Sequence, residues 1–228
     1  MKDKVKHVFF DLDHTLWDFD KNSGLTFKKI FELNRIDISL NEFLEVYEPI
    51  NLKYWKLYRE ERVTKANLRY GRLKEAFDAI NVEVEDTMIN NLSVSYIEHL
   101  TTFNHLFDGA SEILEYLDAK YKLHIITNGF EEAQERKLRN SNILHYFETV
   151  TNSEMVGVKK PNPKIFNFAL DRAQAFAQES IMIGDSLEAD IQGAEKVGMD
   201  TIFFNGRNEN LSIPYKTINQ LIEIKSLL

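Results

Sequence analysis

Residues 7–18 read HVFFDLDHTLWD, and this stretch decides how the rest of the chain is interpreted. Its first four residues are largely apolar and predict the end of a buried β-strand. Asp11 and Asp13 follow at once, although a carboxylate is costly to remove from water. Two interpretations are open at this point. One is an acidic turn leaving the strand, which is common in proteins; the other is a site that binds a cation and performs covalent chemistry.

The composition is that of a soluble globular protein. Of the 228 residues, 43% are hydrophobic and 28% charged, and the absence of cysteine excludes disulfides and thiolate metal ligands. No apolar run is long enough to span a bilayer and no signal-peptide layout is present, so we expect a cytoplasmic protein without a membrane partner. The formal net charge of -8 argues against a nucleic-acid polymer as the main partner. No feature of the sequence indicates an oligomeric state.

Short apolar runs predict the strands of one sheet. They lie at Val5–Phe10, Leu123–Thr127, Ser180–Gly184 and Thr201–Phe204, with a further short strand near Glu148–Thr151. From about Gly109 onward, patterns near the helical period separate these strands. This alternation predicts an α/β fold with a three-layer, Rossmann-like core, in which helices cover both faces of a parallel sheet.

The segment between the first two strands follows a different pattern. From Lys21 to about Phe103 it contains no convincing strand, and it is far longer than a βαβ crossover requires. Its helix signals are a capping box at Ser39 and Glu42, a break or restart at Pro49, a cap at Thr64, and an apolar residue every fourth position at Met88, Leu92, Tyr96 and Leu100. We therefore predict an inserted all-helical cap domain at residues 18–103, and a catalytic core formed by residues 1–17 and 104–228.

Two features of the chain each have two interpretations. Eight basic residues lie between Lys53 and Lys74 against only two acidic ones, and four aromatic residues lie among them. The stretch is either a solvated helix face with its aromatic residues turned inward or a surface that attracts anions. Trp17 is either packed within its loop or a wall on which a base stacks. The histidines show no zinc-ligand spacing.

Polar residues follow the predicted strands where a parallel sheet binds its ligands, beyond the carboxyl ends of the strands. These residues are Asp11 and Asp13 after the first strand, Thr127, Asn128 and Gly129 after the second, Asp185 and Asp190 after Ser180–Gly184, and Lys160 in the segment KKPNPKIF. We expect the carboxylates, the hydroxyl and the ammonium to meet at one edge of the sheet.

This set of groups predicts a Mg²⁺-dependent phosphomonoesterase. Asp11, Asp13 and Asp185 present the hard oxygens that Mg²⁺ prefers. One aspartate would attack phosphorus to form an aspartyl phosphate, while a second carboxyl group protonates the leaving oxygen and then activates water. Thr127 and the backbone N–H groups after it would hold the phosphoryl oxygens, and Lys160 would add a fixed positive charge. The expected partner is a small phosphate ester.

Some of these residues also have structural explanations. Thr127 and Asp185 could each cap a following helix, a role that is compatible with a place in the site. Lys159 adjoins Lys160, and adjacent residues of an extended segment point to opposite sides, so only one of them should face the site. The position beside Pro161 favours Lys160.

With these residues in this order, the chain resembles the haloacid dehalogenase-like hydrolase superfamily, in the branch with a helical cap inserted after the first motif. The superfamily motifs are matched by Asp11, Asp13 and Thr15 in D-x-D-x-T, by Thr127, by Lys160, and by Gly184, Asp185 and Asp190 in G-D-x-x-x-x-D. The resemblance covers the whole chain. Within the superfamily, DLDHTLWDFDKNS looks most like the pyrimidine 5′-nucleotidases that clear modified nucleoside monophosphates.

The resemblance implies a role for each residue of the site. Asp11 would be the nucleophile and Asp13 the acid and base, with Thr127 and Lys160 completing the catalytic set. Asp11 and Asp185 would bind the metal through their side chains and Asp13 through its backbone carbonyl. Thr127, Asn128, Gly129 and Lys160 would bind the substrate. Asp190 would lie behind the ligands and orient a metal-bound water or Lys160.

Functions other than a 5′-nucleotidase are also compatible with some of these motifs. A phosphosugar phosphatase or mutase of the same superfamily would keep every motif. A haloacid dehalogenase is disfavoured, because an alkyl halide needs neither Asp13 nor Mg²⁺. A non-enzymatic phospho-receiver domain also gathers acidic residues, a lysine and Mg²⁺ around an aspartate. It usually places its acidic pair before the phosphorylated aspartate and has no helical insertion, so the order of motifs disfavours it.

Overall fold

The computed structural model describes residues 4–208, 210 and 213–228. The chain divides into two compact units, one formed by Met1–Phe19 with Asn104–Leu228 and the other by Asp20–Phe103. Within the described residues, no helix combines the length and the apolar character needed to cross a membrane.

The unit Asp20–Phe103 is built from helices. They are α1 (Phe19–Asn34), α2 (Leu40–Arg59), α3 (Lys65–Ala79) and α4 (Asp86–Leu100). The Ser39 side chain accepts a hydrogen bond from Glu42 N at 3.4 Å and that of Thr64 accepts one from Asn67 N at 3.1 Å, so both predicted helix starts are confirmed. Leu92, Tyr96 and Leu100 of α4 are buried, as the apolar repeat predicts.

The predicted break at Pro49 is wrong, because α2 continues through this residue. Proline removes one backbone hydrogen bond and crowds the preceding turn. Pro49 lies on the exposed side of α2, where water can satisfy the freed carbonyl. Phe43 and Tyr47 before it and Tyr58 after it are buried, and their packing holds the helix together across the proline.

The basic stretch Lys53–Lys74 has partners within this unit. The Lys53 ammonium lies 2.6 Å from a carboxylate oxygen of Glu75, and Lys74 pairs with Asp78. Arg72 is buried, donates to Asn51 Oδ1 at 2.8 Å, and lies 4.9 Å from the centre of the Tyr96 ring. The ion pairs of Lys53 and Lys74 favour the solvated-face interpretation for these two residues, whereas Arg72 lies in the interior of the unit.

The other unit contains the predicted parallel sheet. Its described strands are β1 (His7–Phe10), β2 (Lys122–Thr127), β3 (Phe147–Asn152), β4 (Ser180–Gly184), β5 (Asp200–Phe204) and β6 (Thr217–Ile218). They are parallel and ordered β3-β2-β1-β4-β5-β6, so the predicted α/β fold class is confirmed. The strand β6 was not predicted, because two residues are too few to show a period.

Helices cover this sheet. The described ones are α5 (Ala110–Asp118), α6 (Glu131–Asn140), α7 (Ser153–Val156), α8 (Pro163–Ala173), α9 (Gly193–Glu195) and α10 (Ile224–Leu227), with a π-helical turn at Leu187–Gln192. Phe9 and Met182 from the strands pack with Ile165, Phe166 and Leu170 of α8 in one buried cluster. The central strand β1 is buried along its whole length.

The register aligns the ends of three strands. Phe10 is level with Ile125 of β2 and with Ile183 of β4. The next residue, Asp11, donates its backbone N–H to Ile183 O at 2.9 Å. The chain order reverses about β1, so the residues after β1, β2 and β4 meet at a topological switch point.

A buried pair of histidines lies across the sheet. His7 Nδ1 is 3.0 Å from His124 Nε2, and His124 Nδ1 is 2.9 Å from Thr149 Oγ1. Burial lowers the pKa of His7, and it lowers the pKa of His124 to about 3, so both rings are neutral at pH 7. The three side chains provide hydrogen-bond partners for one another.

Candidate active site

Asp11 directly follows the central strand and is almost fully buried. Burial raises the pKa of its carboxyl group to about 7, the Lys160 ammonium opposes the rise, and the Asp190 charge adds to it. Lys160 Nζ donates to Asp11 Oδ1 at 2.6 Å. The Lys160 ammonium therefore compensates only part of the negative charge of Asp11, and an additional positive charge would stabilise the ionised carboxylate.

Lys160 is the buried cation of the site, with 2% of its surface exposed. Its ammonium donates to Asp11 and to Ile126 O at 2.7 Å, and lies 2.6 Å from Asp190 Oδ1. The Asn128 side chain holds its backbone, accepting from Lys160 N at 2.8 Å and donating to Lys160 O at 3.0 Å. Of the two adjacent lysines, Lys160 contacts the carboxylates, and Lys159 is half-buried.

Asp185 and Asp190 follow β4. Asp185 is half-buried, and Thr15 Oγ1 donates to its Oδ1 at 3.3 Å. Burial raises the pKa of the Asp185 carboxyl group well above its usual range, and the charges of Asp11 and Asp190 raise it further. Asp190 Oδ2 accepts from Ser186 N at 3.0 Å, and a Cβ at Gly184 would lie 2.3 Å from the same oxygen. Only glycine therefore fits beside Asp190.

The three carboxylates form a candidate cation site. Asp11, Asp185 and Asp190 each offer an oxygen, and these oxygens all lie within 4.8 Å of one another. Three carboxyl groups face one ammonium, that of Lys160, so full ionisation of the cluster would require a further positive charge. Oxygen donors of this kind suit Mg²⁺. Lys160 and Ser186 already engage the two oxygens of Asp190, which makes Asp11 and Asp185 the better ligands.

Thr127 ends β2 and lies beside this cluster. Its Oγ1 accepts from Gly129 N at 3.1 Å and from Gln134 Nε2 at 2.7 Å. The residue at the N-cap of α6 is Phe130, and Ser186 caps the turn after β4. Thr127 and Asp185 therefore do not cap these helices. A Cβ at Gly129 would lie 2.2 Å from Gln134 Nε2, so a larger residue at this position would displace the end of the Gln134 side chain.

Asp13 is turned toward α6. Lys137 Nζ donates to Asp13 Oδ1 at 2.6 Å, and Gln134 Nε2 donates to Asp13 Oδ2 at 3.0 Å. The Lys137 ammonium also lies 4.4 Å from the centre of the buried Trp17 ring. Trp17 is thus packed within its own unit, as one of its two interpretations predicts.

Gln134 and Lys137 were not predicted from the sequence. The available signal was their spacing of three residues on a predicted helix, which places both on one face just after the turn Thr127–Gly129. Nothing in the local pattern indicates that this face is turned toward Asp13 rather than toward solvent.

The loop that carries Asp13 has a defined backbone. His14 N donates to Trp17 O at 3.0 Å, and Trp17 N donates to Leu12 O at 2.9 Å. His14 has a φ of 63°, a conformation that is uncommon for a residue with a side chain. These bonds close a tight turn directly after Asp13, so the backbone of the acidic pair is held on both sides.

Comparisons with known proteins give relatives along the whole chain. The pyrimidine 5′-nucleotidase YjjG of Escherichia coli (strain K12) is 31% identical over 97% of this chain and 96% of its own. The glyceraldehyde 3-phosphate phosphatase of Pyrococcus abyssi (strain GE5 / Orsay) is 33% identical, over 88% of this chain and 81% of its own. The crystal structure of the HAD-hydrolase YfnB from Bacillus subtilis, described as bound to magnesium, matches with a TM-score of 0.89, at 29% identity over 99% of both chains.

A comparison with models of protein families identifies the family of the chain. The model described as haloacid dehalogenase-like hydrolase matches residues 8–204. This range contains both members of the acidic pair and Thr127, Lys160, Asp185 and Asp190. This chain therefore belongs to the haloacid dehalogenase-like hydrolase family and is an enzyme.

Proposed function

We propose that this protein is a Mg²⁺-dependent phosphomonoesterase that forms an aspartyl phosphate on Asp11 and prefers nucleoside monophosphates, pyrimidine ones above all. The observation that carries the proposal is the buried cluster in which Lys160 contacts Asp11 and Asp190 while Asp11, Asp185 and Asp190 converge. The names of the relatives support the reaction class, because YjjG is a 5′-nucleotidase and the Pyrococcus relative a phosphatase.

The Mg²⁺ ion would be held by the side chains of Asp11 and Asp185 and by the backbone carbonyl of Asp13. When bound, it would screen the charge of the phosphate from the attacking carboxylate. The raised pKa values of Asp11 and Asp185 support this assignment, because both carboxylates need a positive charge to remain ionised while buried. Asp190 would serve by holding Lys160 in place.

The reaction would proceed in two steps. In the first, an Asp11 oxygen forms a bond to phosphorus, the ester P–O bond breaks, and Asp13 gives its proton to the leaving oxygen. In the second, Asp13 takes a proton from water as the water attacks the aspartyl phosphate, which releases phosphate and restores Asp11. The Thr127 hydroxyl, the backbone N–H groups of Asn128 and Gly129, and Lys160 would hold the phosphoryl oxygens throughout.

A panel of phosphate esters tests the substrate assignment. We expect inorganic phosphate to be released from nucleoside monophosphates with a higher kcat/KM than from triose or hexose phosphates. A higher value for phosphosugars would support the second candidate, a phosphosugar phosphatase, which the Pyrococcus relative favours. Isomerised sugar phosphate without free phosphate would indicate a mutase. No turnover of any ester would contradict the reaction class.

Removal of the metal should stop the reaction. We expect excess chelator to abolish activity and added Mg²⁺ to restore it. Asp185→Asn should weaken Mg²⁺ binding, measured by calorimetry, and lower kcat/KM by about 10²- to 10³-fold, because the ion loses a charged ligand worth several kcal/mol. Glu188→Gln removes an exposed carboxylate three residues further along the chain and should change neither quantity. Full turnover in excess chelator would contradict the metal assignment.

We also propose that residues 18–103 form a cap that selects among phosphate esters while the α/β unit performs the reaction. The segment is an all-helical insertion between β1 and β2, with its own buried aromatic core. Exchange of Lys21–Phe103 with the matching segment of a relative of different preference tests this role. The chimera should take the substrate ranking of the protein that donates the segment. A folded chimera that keeps the ranking of the core donor would contradict the proposal.

A further inference from the structure

We infer that Gln134 and Lys137 are positioning residues for Asp13, and that they hold its carboxylate in the orientation from which it exchanges protons. The inference rests on the proposed function, in which Asp13 is the acid and base. It extends that function to helix α6, to which the family motifs assign no residue.

The geometry shows a two-point clamp. Lys137 Nζ is 2.6 Å from Asp13 Oδ1, and Gln134 Nε2 is 3.0 Å from Asp13 Oδ2. Gln134 and Lys137 lie one helical turn apart, so a single face of α6 contacts both oxygens. A carboxylate held at both oxygens keeps its plane and its direction, whereas one contact would leave it free to rotate.

Each of these side chains is itself fixed. The Lys137 side chain is 3% exposed, and its ammonium lies 4.4 Å from the centre of the Trp17 ring and 5.5 Å from that of Phe19. A lysine is almost never buried this far without a partner, because its charge is costly to desolvate. The aromatic faces and the Asp13 carboxylate together provide that compensation.

Gln134 joins the acid and base to the expected phosphate-binding hydroxyl. Its amide nitrogen donates both to Asp13 Oδ2 and to Thr127 Oγ1, the latter at 2.7 Å. The opposite amide orientation would set Oε1 against the Asp13 carboxylate, so the nitrogen faces both acceptors. Gly129 lies against the end of this side chain, and a Cβ there would displace it.

The amide oxygen of Gln134 gives a second indication of a functional role. Oε1 is buried and has no hydrogen-bond partner among the residues that the structure describes. A buried acceptor without a hydrogen-bond partner destabilises the folded protein. The orientation of the Gln134 amide is therefore explained by the two acceptors of its nitrogen, Asp13 Oδ2 and Thr127 Oγ1.

Loss of the clamp should affect only the steps in which Asp13 moves a proton. A misplacement of about 1 Å can cost roughly 10²-fold in rate. Proton donation matters for the basic alkoxide of a nucleoside, whereas nitrophenolate leaves without it. Lys137→Met should therefore lower kcat/KM for nucleoside monophosphates by about 10²-fold, and the burst rate with p-nitrophenyl phosphate only a few-fold. Lys137→Arg, which keeps the charge and the donors, should restore most of the loss.

The experiment compares these variants with two controls. Arg139→Met removes an exposed basic residue of the same helix that pairs with Glu135. It should change neither kcat/KM for nucleoside monophosphates nor the burst rate with p-nitrophenyl phosphate. The Mg²⁺ concentration for half-maximal activity should stay the same in Lys137→Met. This result would show that the loss of activity does not come from weaker Mg²⁺ binding. If Lys137→Met does not fold, Gln134→Leu tests the same inference. Because Gln134 also contacts Thr127, this variant should lower the rate with both substrates, and the loss should be larger for nucleoside monophosphates.

The outcomes separate this inference from the proposed function. Equal losses for both substrates in a folded Lys137 or Gln134 variant, or no rescue by Lys137→Arg, would overturn the clamp if Asp13→Asn still distinguishes the substrates. If Asp13→Asn itself affects both substrates equally, the proposed role of Asp13 fails and the clamp fails with it. A selective loss that Lys137→Arg reverses would support both.

Discussion

Asp11→Asn is expected to abolish turnover of every phosphate ester, with a loss of roughly four to six orders of magnitude in kcat. The amide that replaces the carboxylate is a poor nucleophile, so no aspartyl phosphate can form and the first step stops. The loss should be the same for nucleoside monophosphates and for aryl phosphates, because both must pass through this intermediate. The measurement is phosphate release in the steady state, with mass spectrometry of the acid-quenched protein.

A matched control separates this loss from a general effect of charge removal. Asp118→Asn makes the same chemical change at an exposed residue of the α/β unit and should leave kcat unchanged. Asp11→Asn should also show no burst of nitrophenol on rapid mixing. A covalent phosphate on any residue of Asp11→Asn, or turnover within a hundredfold of the unmodified enzyme, would contradict the assignment of Asp11 as nucleophile.

Asp13→Asn is expected to show a loss that depends on the leaving group. A nucleoside alkoxide is strongly basic and needs a proton as the P–O bond breaks, so attack on nucleoside monophosphates should fall by about 10²- to 10⁴-fold. Nitrophenolate leaves readily, so attack on p-nitrophenyl phosphate should continue at a rate close to normal. Hydrolysis of the intermediate needs a base for water in both cases, so the variant should stall as phosphorylated Asp11.

Rapid-mix kinetics reveal this behaviour directly. With p-nitrophenyl phosphate, Asp13→Asn should give a burst of nitrophenol of about one equivalent and then almost none, and mass spectrometry should detect the trapped phosphoenzyme. Asp108→Asn, at an exposed carboxylate of the same unit, should turn over normally. Equal losses for both substrates without a trapped intermediate would show that Asp13 does not transfer the proton.

The fold and the main members of the candidate site could be predicted because the relevant signals are local. A buried parallel strand must be apolar over several consecutive residues, and β1, β2, β4 and β5 show that pattern within a few positions of the observed bounds. Polar residues directly after such strands meet by geometry, whatever the distance between them along the chain. Asp11 and Lys160 are 149 positions apart and lie in contact for this reason.

Where prediction failed, the deciding contact was not local. Pro49 is a helix breaker in isolation, but it lies within α2 because apolar residues on both sides of it are buried in the helical unit. The histidine pair could not be predicted, since His7 and His124 are 117 positions apart and each occupies an ordinary strand position. For Pro49, packing outweighed the local preference of proline to end a helix; for the histidines, no local pattern indicates the contact.

The sequence by itself determined the type of sheet, the helical insertion and the order in which the acidic, hydroxyl and basic groups reach the edge of the sheet. Only the tertiary structure decided which of these groups touch. The Lys137–Asp13 contact joins residues 124 positions apart and depends on how α6 is rotated against the sheet. That rotation is set by the packing of the whole helix, because the apolar side of α6 must face the core, and the direction of its polar side chains follows from that packing.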